Sequence, residues 1–439
     1  MENDIQQDFL CENISATPAG QLLFGGQSVA SLADRYGTPL YLMDEDRIRH
    51  QCRLFREAVK KHYGNARVLY ASKAASFRHM YEIMQQEDMG VDVVSCGEIH
   101  TAFCAGYPME NAFFHSNNKT DADIAYAMET GVGYFVADNE EELRAIEDIA
   151  AKRGITQKIL LRLTPGIDPH TYAAVNTGTV DSKFGLAIET GQALRATQLA
   201  LSLKHIDLCG YHCHVGSQVF DGDVLIRSAE CMLTFIADVA RPMGADIRML
   251  DLGGGFGARY VRTDPVPDAE KVIADLACYI KSAVQKLGIP LPELLLEPGR
   301  SIVADAGLTV YTVGTRKVIP GYKTYLSVDG GMTDNPRFAL YGAKYTVLPV
   351  RGLFGSKTQT VDLVGRCCES GDILAQKVSV PRDICRGDRV ALLTTGAYHY
   401  SMASNYNRIP RPPVVMLANG QSFVAVRRET PADLTRLDV

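Results

Sequence analysis

The chain has 439 residues, a formal net charge of -6 and an ordinary globular balance of 46% apolar and 22% charged residues. That length exceeds one usual domain and predicts two, each with a substantial buried core. A mild negative charge without any basic block excludes nucleic acid and anionic membranes as main partners, so small molecules are expected.

The N-terminus "MENDIQQDFL" has neither a basic nor an apolar signal region, and no apolar run reaches the ~18 residues of a membrane span. A cytoplasmic protein is expected. The cysteines number eleven, an odd count at irregular spacing, which predicts free thiols. Residues 1–38 carry an apolar patch, "QLLFGG", and a helix-like "SVASLADRYG", and are expected to pack with a later domain.

From Pro39 the chain alternates apolar strands with amphipathic helices. Strands are expected at 66–72, 90–95, 112–116, 134–138, 158–164, 206–215, 247–252 and 293–297. Segments such as "RHMYEIMQQED", "EEELRAIEDIAAKRG" and "AEKVIADLACYIKSAVQKLG" supply helices between them. Eight such units predict a (β/α)8 barrel over residues 39–306. After Gly307 the helices stop, and runs such as "LTVYTVGTRKVI", "KTYLSVDGG", "ILAQKVSV" and "PVVMLANG" predict a mainly-β domain over 307–439 that also takes in the N-terminal segment.

Barrel enzymes work at the C-terminal ends of their strands, so the residues just past each strand matter most. Strand one, "ARVLYA", ends beside Lys73; read alone, this is either a Schiff-base lysine or a solvated strand-end lysine. Strand two leads into "DVVSCGE" and strand six into "HCHVGSQ". Strand seven opens into Gly253–Gly257, "GGGFG", and strand eight into "EPGR", Glu297 to Arg300. A glycine run lets backbone N–H groups approach a phosphate, and loops after strands seven and eight form the usual phosphate site of such barrels. His214 could lie over a flat aromatic ligand with Ser217 reaching for its phosphate, and Glu297 could hold a pyridine nitrogen protonated. Cys209, His212, Cys213 and His214 alternate faces along a strand-like run, so no metal is expected there.

The ordered set "YASKA", "HVGSQ", "GGGFG", "EPGR", "GGMTDNPRFALYGAKY", "CCESGD" and "GAYHYSMASNYN" resembles the fold-type III pyridoxal-phosphate decarboxylases, most closely those acting on diaminopimelate, and spans nearly the whole chain. The resemblance implies pyridoxal 5'-phosphate on Lys73, decarboxylation of meso-2,6-diaminopimelate to L-lysine, and a homodimer whose β domains contribute to shared active sites. It implies His214 as the ring-stacking residue, Glu297 as the pyridine partner, and Ser217, Gly254, Gly255, Gly257, Gly299, Arg300 and Tyr398 as cofactor contacts. Arg300, Arg337, Tyr341 and Tyr398 resemble the residues that meet the substrate and its distal carboxylate, Glu369 the one that takes the distal ammonium, and Cys368 the proton donor brought from the partner subunit. The chain departs from the family where Ala75 stands in place of an asparagine, where Cys96 stands in place of a small residue, and where Cys367 precedes Cys368. Rival readings are a decarboxylase of ornithine, lysine or carboxynorspermidine, an alanine-racemase-like enzyme, and a silent carrier. Two arginines argue against the first, Glu297 against the second, and Lys73 with Cys368 against the third.

Overall fold

The computed structural model describes residues 9–167 and 181–439. The chain forms two compact units. The first comprises Gln51–Gly257 and Pro267–Gly299, and the second Met1–His50, Ala258–Val266 and Arg300–Val439.

The first unit is a closed barrel of eight parallel strands: Ala66–Ala71, Gly90–Val93, Ala112–Phe114, Tyr134–Ala137, Gln157–Thr164, Ile206–His212, Met249–Asp251 and Glu293–Leu296, called strands one to eight. Strand eight pairs back to strand one at Leu294↔Ala66, and strands four and five pair at Tyr134↔Lys158. All eight expected strands are present, most of them shorter at the C-terminal end because the chain turns into loops there. The barrel is filled, not hollow: Leu69, Phe113, Tyr134, Val136, Leu160, Cys209, Met249 and Leu295 form one buried cluster drawn from seven of its strands. This is what alternation of inward side chains around a closed sheet produces.

The helices have clear local causes. Thr120 and Asp123 form a reciprocal capping box on Asp121–Glu129, and the side chain of Asn139 caps Glu140–Arg153, each contributing about 1 kcal/mol. Gly154 and Gly288 end their helices in the left-handed conformation, which a glycine adopts without a Cβ penalty. Among the described residues no helix is long and apolar enough to cross a membrane, and all eleven cysteines are free.

The second unit is built on a mixed sheet in the order Ile373–Pro381, Thr358–Val364, Lys323–Val328, Gly307–Ile319, Leu40–Asp44, Val414–Ala418, Gln421–Val426. Arg389–Leu393 also pairs with Gly307–Ile319. The N-terminal Ile14, Leu22, Phe24, Val29 and Leu32 share a core with Leu308, Val310, Leu348 and Leu393, so the mainly-β domain does take in the N-terminal segment. The unit's limits differ from 39 and 307 for two reasons. Leu40–Asp44 hydrogen-bonds as a strand between Gly307–Val310 and Val414–Leu417. The excursion Ala258–Val266 joins the same unit, where the backbone N–H and the hydroxyl of Thr346 both donate to the Tyr260 carbonyl.

Candidate active site

At the C-terminal mouth of the barrel, strand one gives way to a single tight turn, Ser72–Ala74, that presents Lys73 half-buried. The Glu297–Gly299 turn is pressed against it. A Cβ added to Gly299 would stand 2.8 Å from the Cβ of Ala71, and the Ala71 N–H donates to the Pro298 carbonyl at 3.3 Å. Only glycine permits that approach. Burial raises the carboxyls of Asp92 and Glu98 and the Lys73 charge partly opposes that rise, while burial and then Lys73 disfavour protonation of His214, so all three stand within the electrostatic reach of Lys73.

The loops after strands six and seven are zipped together. Val219 N–H donates to Gly255 O at 2.9 Å and Gly257 N–H to Val219 O at 3.0 Å. The glycines are demanded by space: a Cβ would lie 2.7 Å from His214 Nδ1 at Gly253, 2.4 Å from Gly216 O at Gly255 and 2.6 Å from the Phe220 ring at Gly257. His214 accepts the Gly254 N–H on Nδ1 at 3.3 Å. Burial, then the Lys73 charge, holds it well below the usual imidazole range, hence neutral.

Behind the glycine loop lies a buried polar cluster. Glu297 Oε1 is 2.9 Å from His115 Nε2, and Glu297 Oε2 is 3.4 Å from His212 Nε2. His115 Nε2 also approaches Asp92 Oδ1 at 3.8 Å, and the two imidazoles meet edge to face at 4.8 Å. Burial pushes against ionisation of Glu297, but His115 and His212 outweigh it and hold the carboxyl well below its ordinary range. Asp251 moves the other way, raised by burial and by the charge on Glu297. Burial pushes His212 down to about 3. Glu297 Oε1, His115 Nε2, both nitrogens of His212 and Asp92 Oδ1 are buried and without a hydrogen-bond partner among the described residues. Such groups are costly unless a ligand or ordered water meets them.

These features fit pyridoxal phosphate. An unpartnered carboxylate oxygen suits a protonated ring nitrogen, a glycine cradle suits a phosphate, and a half-buried lysine suits an aldehyde. The trio His115, His212 and Glu297 also places three potential ligand atoms within 4.8 Å of one another, and is the one such group among the described residues. Cys209 and His214, at the two ends of the run that also holds His212 and Cys213, have separate partners. Cys209 Sγ donates to Asp207, whereas His214 faces Gly254.

The second unit holds a different cluster. Arg300 and Arg337 are 6% and 7% exposed. Arg300 Nη1 donates to the Tyr260 hydroxyl at 2.5 Å and Arg337 Nη1 to the Tyr345 hydroxyl at 2.7 Å. The guanidiniums also stack on rings, Arg300 at 4.8 Å from the centre of Tyr398 and Arg337 at 5.1 Å from that of Tyr260. Burial alone would raise the Tyr260 hydroxyl, but the two arginines pull it below the ordinary phenol range. Among the described residues no carboxylate pairs with Arg337. A buried guanidinium facing only phenols and rings suits an anionic partner. Tyr398 takes φ +62°, a left-handed conformation costing about 1–3 kcal/mol at a non-glycine residue, while its ring lies under Arg300.

Tyr341 ends the short helix Arg337–Tyr341 and is 38% exposed. Cys368 and Glu369 are exposed on a turn fixed from within. The buried carboxylate of Asp372 accepts Met332 N–H at 2.6 Å and Cys367 N–H at 2.7 Å, and Cys368 N–H donates to Asn407 Oδ1 at 2.8 Å. Burial and Asp372 push the Cys367 thiol up to about 11. The two adjacent thiols thus differ, one turned inward and one exposed. Cys96 is half-buried, its thiol pushed up to about 12 by burial and Asp123. Ala75 is buried, its carbonyl accepting the Tyr70 hydroxyl at 2.9 Å.

Sequence reading missed His115, Asp92, Tyr260 and Tyr345. His115 directly follows strand three, so the rule applied to strands one, six, seven and eight would have found it. Tyr260 carries no such signal, because it lies on an excursion into the other unit.

A barrel mouth with a turn-borne lysine, a glycine cradle and a buried carboxylate defines a pyridoxal-phosphate enzyme, and residues 45–304 match the family model "Pyridoxal-dependent decarboxylase, pyridoxal binding domain". The chain is 42% identical over 420 residues to the diaminopimelate decarboxylase of Bacillus subtilis strain 168, covering 96% of this chain and 95% of the relative. A crystal structure of diaminopimelate decarboxylase from M. jannaschii superposes with a TM-score of 0.89 at 31% identity, covering 98% of each chain. A co-complex of the M. jannaschii enzyme with L-lysine matches equally well. The chain belongs to the diaminopimelate decarboxylase family of fold-type III pyridoxal-phosphate enzymes.

Proposed function

We propose that this protein removes the α-carboxylate of meso-2,6-diaminopimelate to give L-lysine and carbon dioxide, the last step of lysine biosynthesis from that precursor. The observation that carries this reading is the buried Arg300–Arg337 pair set among Tyr260, Tyr345 and Tyr398. A substrate with a second amino-acid end supplies the carboxylate that such a pair requires, and ornithine or lysine does not.

When bound, pyridoxal phosphate supplies an electron sink for the pair released as the Cα–carboxylate bond breaks. Lys73 holds it covalently through its amine. Glu297 keeps a proton on the pyridine nitrogen, and Gly254, Gly255, Gly257, Gly299, Ser217, Arg300 and Tyr398 hold the phosphate end. His214, neutral, covers the ring face. Arg300, Arg337 and Tyr341 orient the distal carboxylate, Tyr398 also meets the substrate, Glu369 takes the distal ammonium, and Cys368 returns a proton to Cα.

We further infer a homodimer in which the β domain of each copy contributes Cys368 to the other copy's active site. The exposure of Cys368 and Glu369 on a rigid turn supports this. Eleven free thiols suit the reducing cytoplasm, and nucleic acid is not a partner. The test is a substrate panel with added cofactor, scoring carbon dioxide release. Release from meso-diaminopimelate and not from ornithine or lysine is expected, and the reverse pattern would overturn the assignment.

A further inference from the structure

We infer that His115 is a positioning residue: it aims the Glu297 carboxylate at the cofactor's ring nitrogen and ties it to Asp92. This rests on the proposed function, in which Glu297 faces that nitrogen.

Glu297 is 6% exposed, and its two ion-pair contacts among the described residues are both imidazoles, His115 at 2.9 Å and His212 at 3.4 Å. A buried carboxylate flanked in this way keeps its orientation only while the two imidazoles keep theirs. The two histidines are not equivalent. His212 meets one carboxylate among the described residues, Glu297, is 1% exposed, and is pushed by burial to a neutral form. His115 meets two carboxylates at one nitrogen, Nε2, with Glu297 at 2.9 Å and Asp92 at 3.8 Å, and so stands between the end of strand two and the end of strand eight.

The segment carrying His115 is itself held rigid. The His115 N–H donates to Val93 O at 2.8 Å. Four residues on, the buried Lys119 ammonium donates to Ser116 O at 3.2 Å, Val136 O at 2.7 Å and Glu142 Oε1 at 2.8 Å. A buried lysine satisfied three ways is costly to move, so the loop bearing His115 is clamped to strands two and four. Asp92, in turn, lies within electrostatic reach of Lys73. His115 therefore stands between Asp92, which the Lys73 charge reaches, and Glu297. The other titratable groups within electrostatic reach of Glu297 include Asp92, Arg162, Cys213, His214 and Asp251.

The test compares His115→Ala and His115→Gln with wild type. The apoproteins are titrated with pyridoxal phosphate, following cofactor absorbance, and the bound form's visible spectrum is recorded across pH. His115→Ala is expected to weaken cofactor binding about 10- to 100-fold, the scale on which outer partners of a charged ligand act, and to shift the pH dependence of the visible band. His115→Gln, which keeps an N–H donor, should recover most of both. KM for the substrate's distal end should stay unchanged. Wild-type affinity and spectrum in His115→Ala would overturn the inference, as would equal loss in both variants. One equivalent of divalent metal in wild type, absent from His115→Ala, would also overturn it by making the trio a metal site. Failure of the proposed function would appear separately, as wild-type protein whose borohydride-reduced cofactor is attached anywhere but Lys73.

Discussion

Gly254 lies so close to Glu297 that a methyl group added to it would stand 2.0 Å from the Glu297 carbonyl oxygen. The glycine loop and the Glu297 strand end are therefore packed backbone against backbone. Gly254→Ala should destabilise the apoprotein by about 1–3 kcal/mol, the usual cost of overpacking, and abolish tight cofactor binding. Gly97→Ala is the control, since its Cβ would meet only Ser95 Oγ at 3.6 Å. It should be neutral or stabilising by up to about 1 kcal/mol in its helix. Thermal unfolding and cofactor titration of both variants check this.

Arg337→Gln removes the guanidinium that faces only aromatic groups. Losing a charge-assisted hydrogen bond costs about 1.5–3 kcal/mol. KM for meso-diaminopimelate should rise roughly 10- to 150-fold with a smaller change in kcat, while the cofactor spectrum stays as in wild type. Steady-state kinetics separate the two parameters, and a loss confined to kcat would place Arg337 elsewhere.

Shared active sites predict complementation. Lys73→Ala and Cys368→Ala should each be inactive alone. In mixed refolded dimers half the molecules are hybrids with one competent site, so activity should return to roughly a quarter of wild type. Hybrids shown to form but remaining inactive would argue that each copy works alone.

Asp334 sets a pH dependence of stability. Burial raises its carboxyl to about 7, while the Tyr311 hydroxyl and the Gly331 N–H bind it and partly oppose that rise. The folded state thus holds this proton at pH values where the unfolded chain, near 3.9, has lost it. Between about pH 4 and 7 the native state binds more protons, so stability falls as pH rises through that window and is flat above it. Relative to Asp334→Asn, the wild type should lose up to about 4 kcal/mol across the window, measurable by urea unfolding at several pH values.

The barrel was legible because its strands and helices repeat with two distinct periods, and because strand ends carry glycine, lysine and carboxylate in a fixed order. Lys73, His214, the glycine run and Glu297 all come to the same barrel mouth. What stayed hidden depended on long-range pairing. Leu40–Asp44 reads as an ordinary apolar strand, and nothing local says that its hydrogen bonds go to Gly307 and Val414 rather than to the barrel. Tyr260 and Tyr345 were hidden for a related reason, since a phenol's role under a guanidinium appears only when segments distant in sequence meet. His115 was legible in principle, standing one residue beyond strand three.

The placement of Leu40–Asp44 carries a consequence for biosynthesis. All five of its residues are buried, and both of its neighbours in the sheet are translated only after the barrel. On the ribosome the barrel strands can close as soon as strand eight emerges, while this early strand must wait for the end of the chain. A nascent or truncated chain stopping before Val414 exposes one open, apolar edge of the kind that recruits other chains. Late stalling during translation should therefore yield aggregates built around an intact barrel, and chaperone demand should peak just before synthesis ends.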